Sequence, residues 1–209
     1  MAPVTAHSQL AASDPVMARL IDELGELSMA TRRKRTPALD AYGTLLRSVI
    51  GQQVSVKAAA AIYGRVVDLF DGATPAPEQL LEVDPQTLRD AGLSWRKVEY
   101  VRDLASHVIS GQLELDRLAE LSDEEVIAEI TAVRGFGLWS AQVFCMFFLE
   151  RPDILPTGDL GIRRAVEIQY GLDEIPPPKE VERIGEVWSP HRTLASIYLW
   201  ESLHNEPLS

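Results

Sequence analysis

One carboxylate stands out by its place. Asp159 lies in "LPTGDLGIRRA", Leu155–Ala165, after a loop carrying proline and glycine and directly before a helical pattern. At a helix mouth a negative charge is held by backbone N–H groups and by the positive end of the helix dipole. A carboxylate held ionised in this way is a poor general acid. It can serve as a fixed negative charge, a nucleophile or a base that orients water. Upstream, "RGFGLWSA", Arg134–Ala141, sets Gly135 and Gly137 on either side of Phe136, just before an apolar helical run. A bare turn leading into a helix start offers N–H groups to an anion such as a phosphate. Taken singly, each feature has a plainer meaning: Asp159 as a helix cap, and Gly-Phe-Gly as an ordinary turn between two helices.

The elements that must position these residues read as helices nearly throughout. "SDPVMARLIDELGEL" opens with Ser13 or Asp14 as a cap and Pro15 in the first turn, and its apolar residues recur at helical spacing. "DAYGTLLRSVIGQQVSVKAAAAIYGRVVDLF" predicts two helices broken near Gly51–Ser55, with Ser55 capping the second. "PAPEQLLEV" and "DPQTLRDAG" are short helices, and "SWRKVEYVRDLASHVISG" is a longer one capped by Ser94 and stopped at Gly111. Ser122 and Glu125 form a capping box ahead of "VIAEITAV". An apolar helix over about 138–149 follows; being apolar almost all round, it is expected to lie in the middle of a domain. Three more helices close the chain, the second preceded by the stiff "IPPPK". Strand signals are poor, so the expected class is all-α with about ten helices.

The 209 residues are 46% hydrophobic and 24% charged, an ordinary globular balance. No apolar run reaches the roughly 18 residues of a membrane span. The first residues show no basic start followed by an apolar block, so no secretion signal is expected. The one cysteine, Cys145, reads as a small buried hydrophobe and excludes an intrachain disulfide or a four-cysteine cluster. A reducing, cytosolic setting fits, on the resemblance below that of a bacterial cytosol. The net charge of −11 argues against coating nucleic acid non-specifically but leaves room for a local footprint. The basic "TRRKR", Thr31–Arg35, reads as either a solvated loop or part of such a footprint. His7, His107, His191 and His204 lack metal-ligand spacing and receive no catalytic role.

In combination the motifs are more specific than singly. The turn, the apolar helix and "LPTGDLGIRR" resemble the helix-hairpin-helix superfamily of DNA glycosylases, and more closely its 3-methyladenine DNA glycosylase II family. "LLRSVIGQQVSVKAAAAIYGRV" looks like that family's early helix pair, and "ITAVRGFGLWSAQVFCMFFLERPDILPTGDLGIRRAV" like its core signature. "WSPHRTLASIYLW" looks like its closing helix, so the likeness runs from Tyr42 to Glu201. It implies one glycosylase domain over residues 1–209, built as two helical lobes with the active-site cleft between them. The hairpin would lie near 131–141 and the catalytic loop near 152–160. The resemblance makes Asp159 the catalytic residue, with Trp139, Trp200 and, more weakly, Tyr198 lining a pocket for the base. Read from composition alone, these aromatics are core residues. Gly135, Phe136, Gly137, Ser140 and Gln53 would contact DNA. A Na⁺ or K⁺ ion on the carbonyls of Thr131, Val133 and Phe136 is also implied, with no cofactor required.

Two departures narrow the subclass. Relatives with strand-cutting lyase activity carry a lysine just after the hairpin, where this chain has Trp139; without that amine there is no Schiff-base route. One cysteine cannot build the iron–sulfur cluster of the endonuclease III branch. The expectation is a monofunctional, monomeric enzyme that removes alkylated bases such as 3-methyladenine and 7-methylguanine from double-stranded DNA, without a membrane partner. The stretch before Tyr42 is too short for the family's N-terminal β-rich domain, which suggests a compact form. Gly158 stands where an acidic residue often precedes the aspartate, and Gln53 where some relatives insert an apolar wedge into the DNA. Two other readings stay open: a glycosylase for a neutral mispaired or oxidised base, and a non-catalytic helix-hairpin-helix DNA-binding module.

Overall fold

The structure, a computed structural model, describes residues 5–28 and 39–203. The basic run Thr31–Arg35 and His204 lie outside the described residues. The described residues form an all-α protein, as expected, with no strand among them. They divide into two compact units, one drawn from Met1–Pro37 and Cys145–Ser209, the other from Ala38–Phe144.

The first unit contains α1 (Ala6–Ser13), α2 (Pro15–Leu24), α10 (Leu160–Tyr170), α11 (Pro178–Gly185) and α12 (Arg192–Ser202), with a 3-10 turn at Glu186–Trp188. α12 packs against α10 and α2, and α1 packs along α2. Their shared core includes Leu10, Met17, Leu20, Ile162, Val166, Trp188, Tyr198 and Leu199. Each fully buried side chain of this size contributes about 1.5–3 kcal/mol of transfer free energy. Asp14 is a carboxylate buried beside this core. It caps α2 through Val16 N at 2.8 Å and Met17 N at 3.4 Å, and also accepts from Trp188 Nε1 at 2.8 Å and from the Tyr170 hydroxyl. Burying a carboxylate is tolerable only with donors placed around it in this way. The Tyr170 hydroxyl is correspondingly pushed up, by burial first and by Asp14 second.

The second unit contains α3 (Ala41–Gly51), α4 (Val56–Asp68), α5 (Pro77–Glu82), α6 (Pro85–Asp90), α7 (Trp95–Ile109) and α8 (Asp123–Ala132), with a 3-10 turn at Leu115–Arg117. α7 packs against α3, α5 and α6. The local signals set the boundaries. Ser55 Oγ accepts from Ala58 N, Ser94 Oγ from Lys97 N and Ser122 Oγ from Glu125 N, while the Glu125 carboxylate accepts from Ser122 N at 2.8 Å. These bonds hold Glu125 below the usual carboxylate range.

α9 (Leu138–Phe147) carries the chain from the second unit into the first. Its later part is buried as predicted, with Ala141, Phe144, Cys145 and Met146 at 3% exposure or less. Its first turn is not: Leu138 is 56% exposed and Trp139 48%. An apolar periodicity cannot distinguish a side chain buried by the fold from one left open for a ligand. No helix among the described residues is long and apolar enough to cross a membrane.

Candidate functional site

In the first unit, Asp159 caps α10. Its Oδ1 accepts from Ile162 N at 2.8 Å and from the indole Nε1 of Trp200 at 2.9 Å. The backbone closes the same turn, with Asp159 N on Pro156 O and Arg163 N on Asp159 O. The residue is half-buried, so the carboxylate is held by the fold yet not sealed from solvent. The Trp200 ring lies beside Phe147, centroids 6.1 Å apart and planes tilted by 30°.

The loop that delivers Asp159 is pinned over residues 151–154. Arg192, at the start of α12, makes a two-pronged ion pair with Asp153, Nε and Nη2 each at 2.8 Å. Ser189 Oγ adds a third bond to Asp153 at 2.9 Å. Thr193 stitches the backbone: its Oγ1 donates to Arg151 O at 2.6 Å and accepts from Ile154 N at 3.0 Å, and its N–H donates to Pro152 O. Burial alone would raise the Asp153 carboxyl; the Arg192 and Ser189 bonds outweigh it and hold the group below its ordinary value. Bidentate arginine–carboxylate pairs of this kind fix geometry as well as charge. Sequence reasoning missed Asp153, Arg192 and Thr193. Their partners are far apart in the chain, and no local pattern announces them.

In the second unit, the turn after α8 carries Gly135 at φ +91°. A side chain there would be strained, and its Cβ would fall 2.3 Å from Tyr100 Cδ2. Gly137 has neither constraint: its φ is not positive and a Cβ would meet nothing within 4 Å. The fold therefore requires glycine at 135 but gives no reason for one at 137, where the bare backbone is open to a ligand. Phe136 is buried, and its N–H donates to Val133 O at 3.2 Å. Its amide is engaged within the turn. Ser140 is also a buried side chain.

The α3–α4 turn is tied to this glycine turn. Gln52 Nε2 donates to Gly135 O at 2.9 Å, and Lys97 Nζ donates to Ile50 O at 2.8 Å. Burial pulls the Lys97 ammonium below its ordinary value. At the tip of that turn Gln53 is exposed in the left-handed region, φ +57°, followed by Val54 and Val56, the latter 87% exposed. Gln52 and Val56 were not singled out from the sequence, although the neighbouring Gln53 was.

Tyr198 requires a correction. It is fully buried; its hydroxyl donates to Gly25 O at 2.8 Å and accepts from Leu27 N at 3.0 Å. It is a core tyrosine that fastens the end of α2. On a helix, positions two apart face different ways, so Tyr198 and Trp200 cannot share a pocket wall. Trp139 stands on the exposed first turn of α9 in the second unit.

Among the described residues no group of three or more His, Cys, Asp or Glu could hold a metal ion. The carbonyls of Thr131 and Val133 sit in and just beyond the last turn of α8, where the helix dipole favours a cation.

The chain is similar to proteins of known class along most of its length. It is 36% identical over 163 residues to DNA-3-methyladenine glycosylase 1 of Schizosaccharomyces pombe, covering 77% of this chain and 72% of that one. It spans 57–63% of the length of four further curated relatives, from Bacillus subtilis, Saccharomyces cerevisiae and Escherichia coli. The fold matches the crystal structure of a DNA-3-methyladenine glycosidase from Bacillus halodurans with a TM-score of 0.85 and 36% identity, over 97% of this chain and 90% of that one. It matches the S. pombe 3-methyladenine DNA glycosylase solved with abasic DNA with a TM-score of 0.83 and 30% identity, over 96% and 97%. The family model for HhH-GPD superfamily base excision DNA repair proteins matches residues 46–191, a span that takes in the glycine turn, Asp153 and Asp159. The chain belongs to the HhH-GPD superfamily of base excision DNA repair proteins.

Proposed function

We propose that this protein is a monofunctional DNA glycosylase that removes alkylated bases of the 3-methyladenine and 7-methylguanine type from duplex DNA. It hydrolyses the N-glycosidic bond and leaves an abasic site. The observation that carries the reading is Asp159. It is an N-cap whose Oδ1 is fixed by two donors, on a pinned loop, in a chain of this superfamily. The names of its relatives support the substrate class, and the S. pombe complex with abasic DNA supports DNA as partner.

A stacked base is out of reach, so the nucleotide rotates out of the duplex into a pocket. Alkylation at a ring nitrogen puts positive charge on the purine, which weakens the glycosidic bond. An electron-rich aromatic attracts such a base by about 0.5–2 kcal/mol per ring; Trp139 and Trp200 are the candidates. As the bond breaks, the sugar gains positive charge, and Asp159 stabilises it and orients the attacking water. The open backbone at Gly137 and the start of α9 seat a phosphate of the strand, with Gln53 at the neighbouring tip. A Na⁺ or K⁺ ion held by the carbonyls of Thr131, Val133 and Phe136 would neutralise phosphate charge in a protein of net charge −11.

Incubation with DNA carrying labelled methylated purines, followed by identification of the released bases, tests the activity. Asp159→Asn tests the mechanism: DNA binding should persist while base release falls by about 10² or more. Excision by that variant at the normal rate would remove Asp159 from the chemistry.

A further inference from the structure

We infer that Trp200 is a positioning residue for Asp159, acting through its indole N–H, and that Gly161 is the place where α10 makes room for it. The inference rests on the reading of Asp159 as the reacting carboxylate. Trp200 Nε1 and Ile162 N converge on the same oxygen, Oδ1, at 2.9 and 2.8 Å. The backbone amide alone would cap the helix, as it does for Asp40, whose side chain accepts from Gly43 N in the same way and without an indole. A second donor on one oxygen restricts rotation of the carboxylate about its own axis, so that its other edge keeps one direction. Charge-assisted hydrogen bonds are the strong ones, and a preorganised group avoids reorientation as the sugar charge develops.

Gly161 supplies an independent observation. Its φ is not positive, and it sits in the first turn of α10, where alanine would be the better helix former. The fold of the backbone gives no reason for glycine here. Space does. A Cβ at 161 would lie 3.0 Å from Asp159 Oδ1, 3.2 Å from Trp200 Cδ1 and 3.3 Å from Trp200 Nε1. The atoms it would crowd are those of the donor–acceptor pair. Glycine at this position lets the indole edge lie across the first turn of the helix and reach the carboxylate. The assignment is distinct from base stacking, which uses the face of the ring and is indifferent to the N–H.

The test separates edge from face. Replacement of Trp200 by 3-benzothienylalanine keeps the ring system and its volume but puts sulfur where the N–H was. Single-turnover release of 7-methylguanine from a duplex should slow on the order of tenfold, the cost of one hydrogen bond to a charged group, while binding to a duplex with an abasic site stays unchanged. Gly161→Ala keeps the indole, and its gain in helix propensity offsets the crowding at the cap, so its melting temperature should stay close to wild type while the release rate falls. A merely structural role would move stability and activity together. Wild-type release rates in the benzothienyl variant overturn the role of the N–H, and undiminished release by Gly161→Ala overturns the role of the glycine. Asp159→Asn run alongside tells the two levels apart. If it abolishes release while the benzothienyl variant is normal, the positioning role alone fails. If Asp159→Asn releases base normally, the reading beneath it fails.

Discussion

The two glycines of the hairpin should respond to alanine in opposite ways, because the fold needs one and leaves the other free. At Gly135 the backbone is at φ +91°, which costs an L-residue roughly 1–2 kcal/mol. The added methyl would also lie 2.3 Å from Tyr100 Cδ2 and 2.4 Å from Cγ. Cγ is the root of the ring, so rotating the ring about its own axis does not clear it. The whole side chain, whose hydroxyl accepts from Arg96 Nη2 at 3.1 Å, must leave, or the turn must lift. Overpacking of this kind adds about 1–3 kcal/mol. The sum, about 2–5 kcal/mol, is a large part of a typical domain stability of about 5–15 kcal/mol. It lowers the melting temperature by roughly 4–20 °C for a chain of this size. Gly137→Ala, with no positive φ and nothing within 4 Å of its Cβ, should stay within about 0.5 kcal/mol of wild type. If a phosphate closes on that backbone, however, the methyl stands in its way, and affinity for an abasic duplex should drop by about tenfold or more. Calorimetry and a binding titration at fixed salt measure the two quantities. An unchanged melting temperature in Gly135→Ala would refute the steric argument. Unchanged affinity in Gly137→Ala would refute the placing of a strand against this glycine.

Two further outcomes follow from the first unit. Asp153→Asn should destabilise the protein at neutral pH. Because the native carboxyl lies below its ordinary 3.8, the stability it adds is fully present above that value and is lost as pH falls through the lower native value. The gap between wild type and variant, followed by denaturant melts, should therefore be constant near neutrality and close in acid; a gap that widens in acid contradicts this sign. Tyr198→Phe removes the hydroxyl that joins Gly25 O and Leu27 N, two groups that water can still reach, so it should cost about 0.5–1.5 kcal/mol while the single-turnover release rate stays normal. A loss of base release without loss of stability would restore Tyr198 to the pocket.

What the sequence made legible was local. Ser55, Ser94, Ser122 and Asp159 announce helix starts because a cap and its amides lie within three residues. The all-α class follows from periodicity, which is also local. The staple of Asp153 to Arg192 and Thr193 joins residues that only the fold brings together, and neither end lies in a pattern of its own. The aromatics divide for a different reason. A helical projection alone separates Tyr198 from Trp200, but which of the two faces Asp159 depends on how α12 lies against α10. The glycines were ambiguous until their surroundings were known: 135, 137 and 161 are one letter with three meanings, a φ requirement, an open backbone and a berth for an indole.

α12 joins the staple and the indole on one rod. Arg192 and Thr193 at its start hold the loop, and Trp200 near its end holds the carboxylate that the loop delivers. At 1.5 Å per residue the two attachments stand about 12 Å apart along the axis. The loop from Asp153 to Asp159 is thus cut to the measure of a helix, and its length cannot drift alone. A lineage that lengthened or shortened it would have to reset the registry of α12 in the same step, so these two segments are expected to vary as a pair.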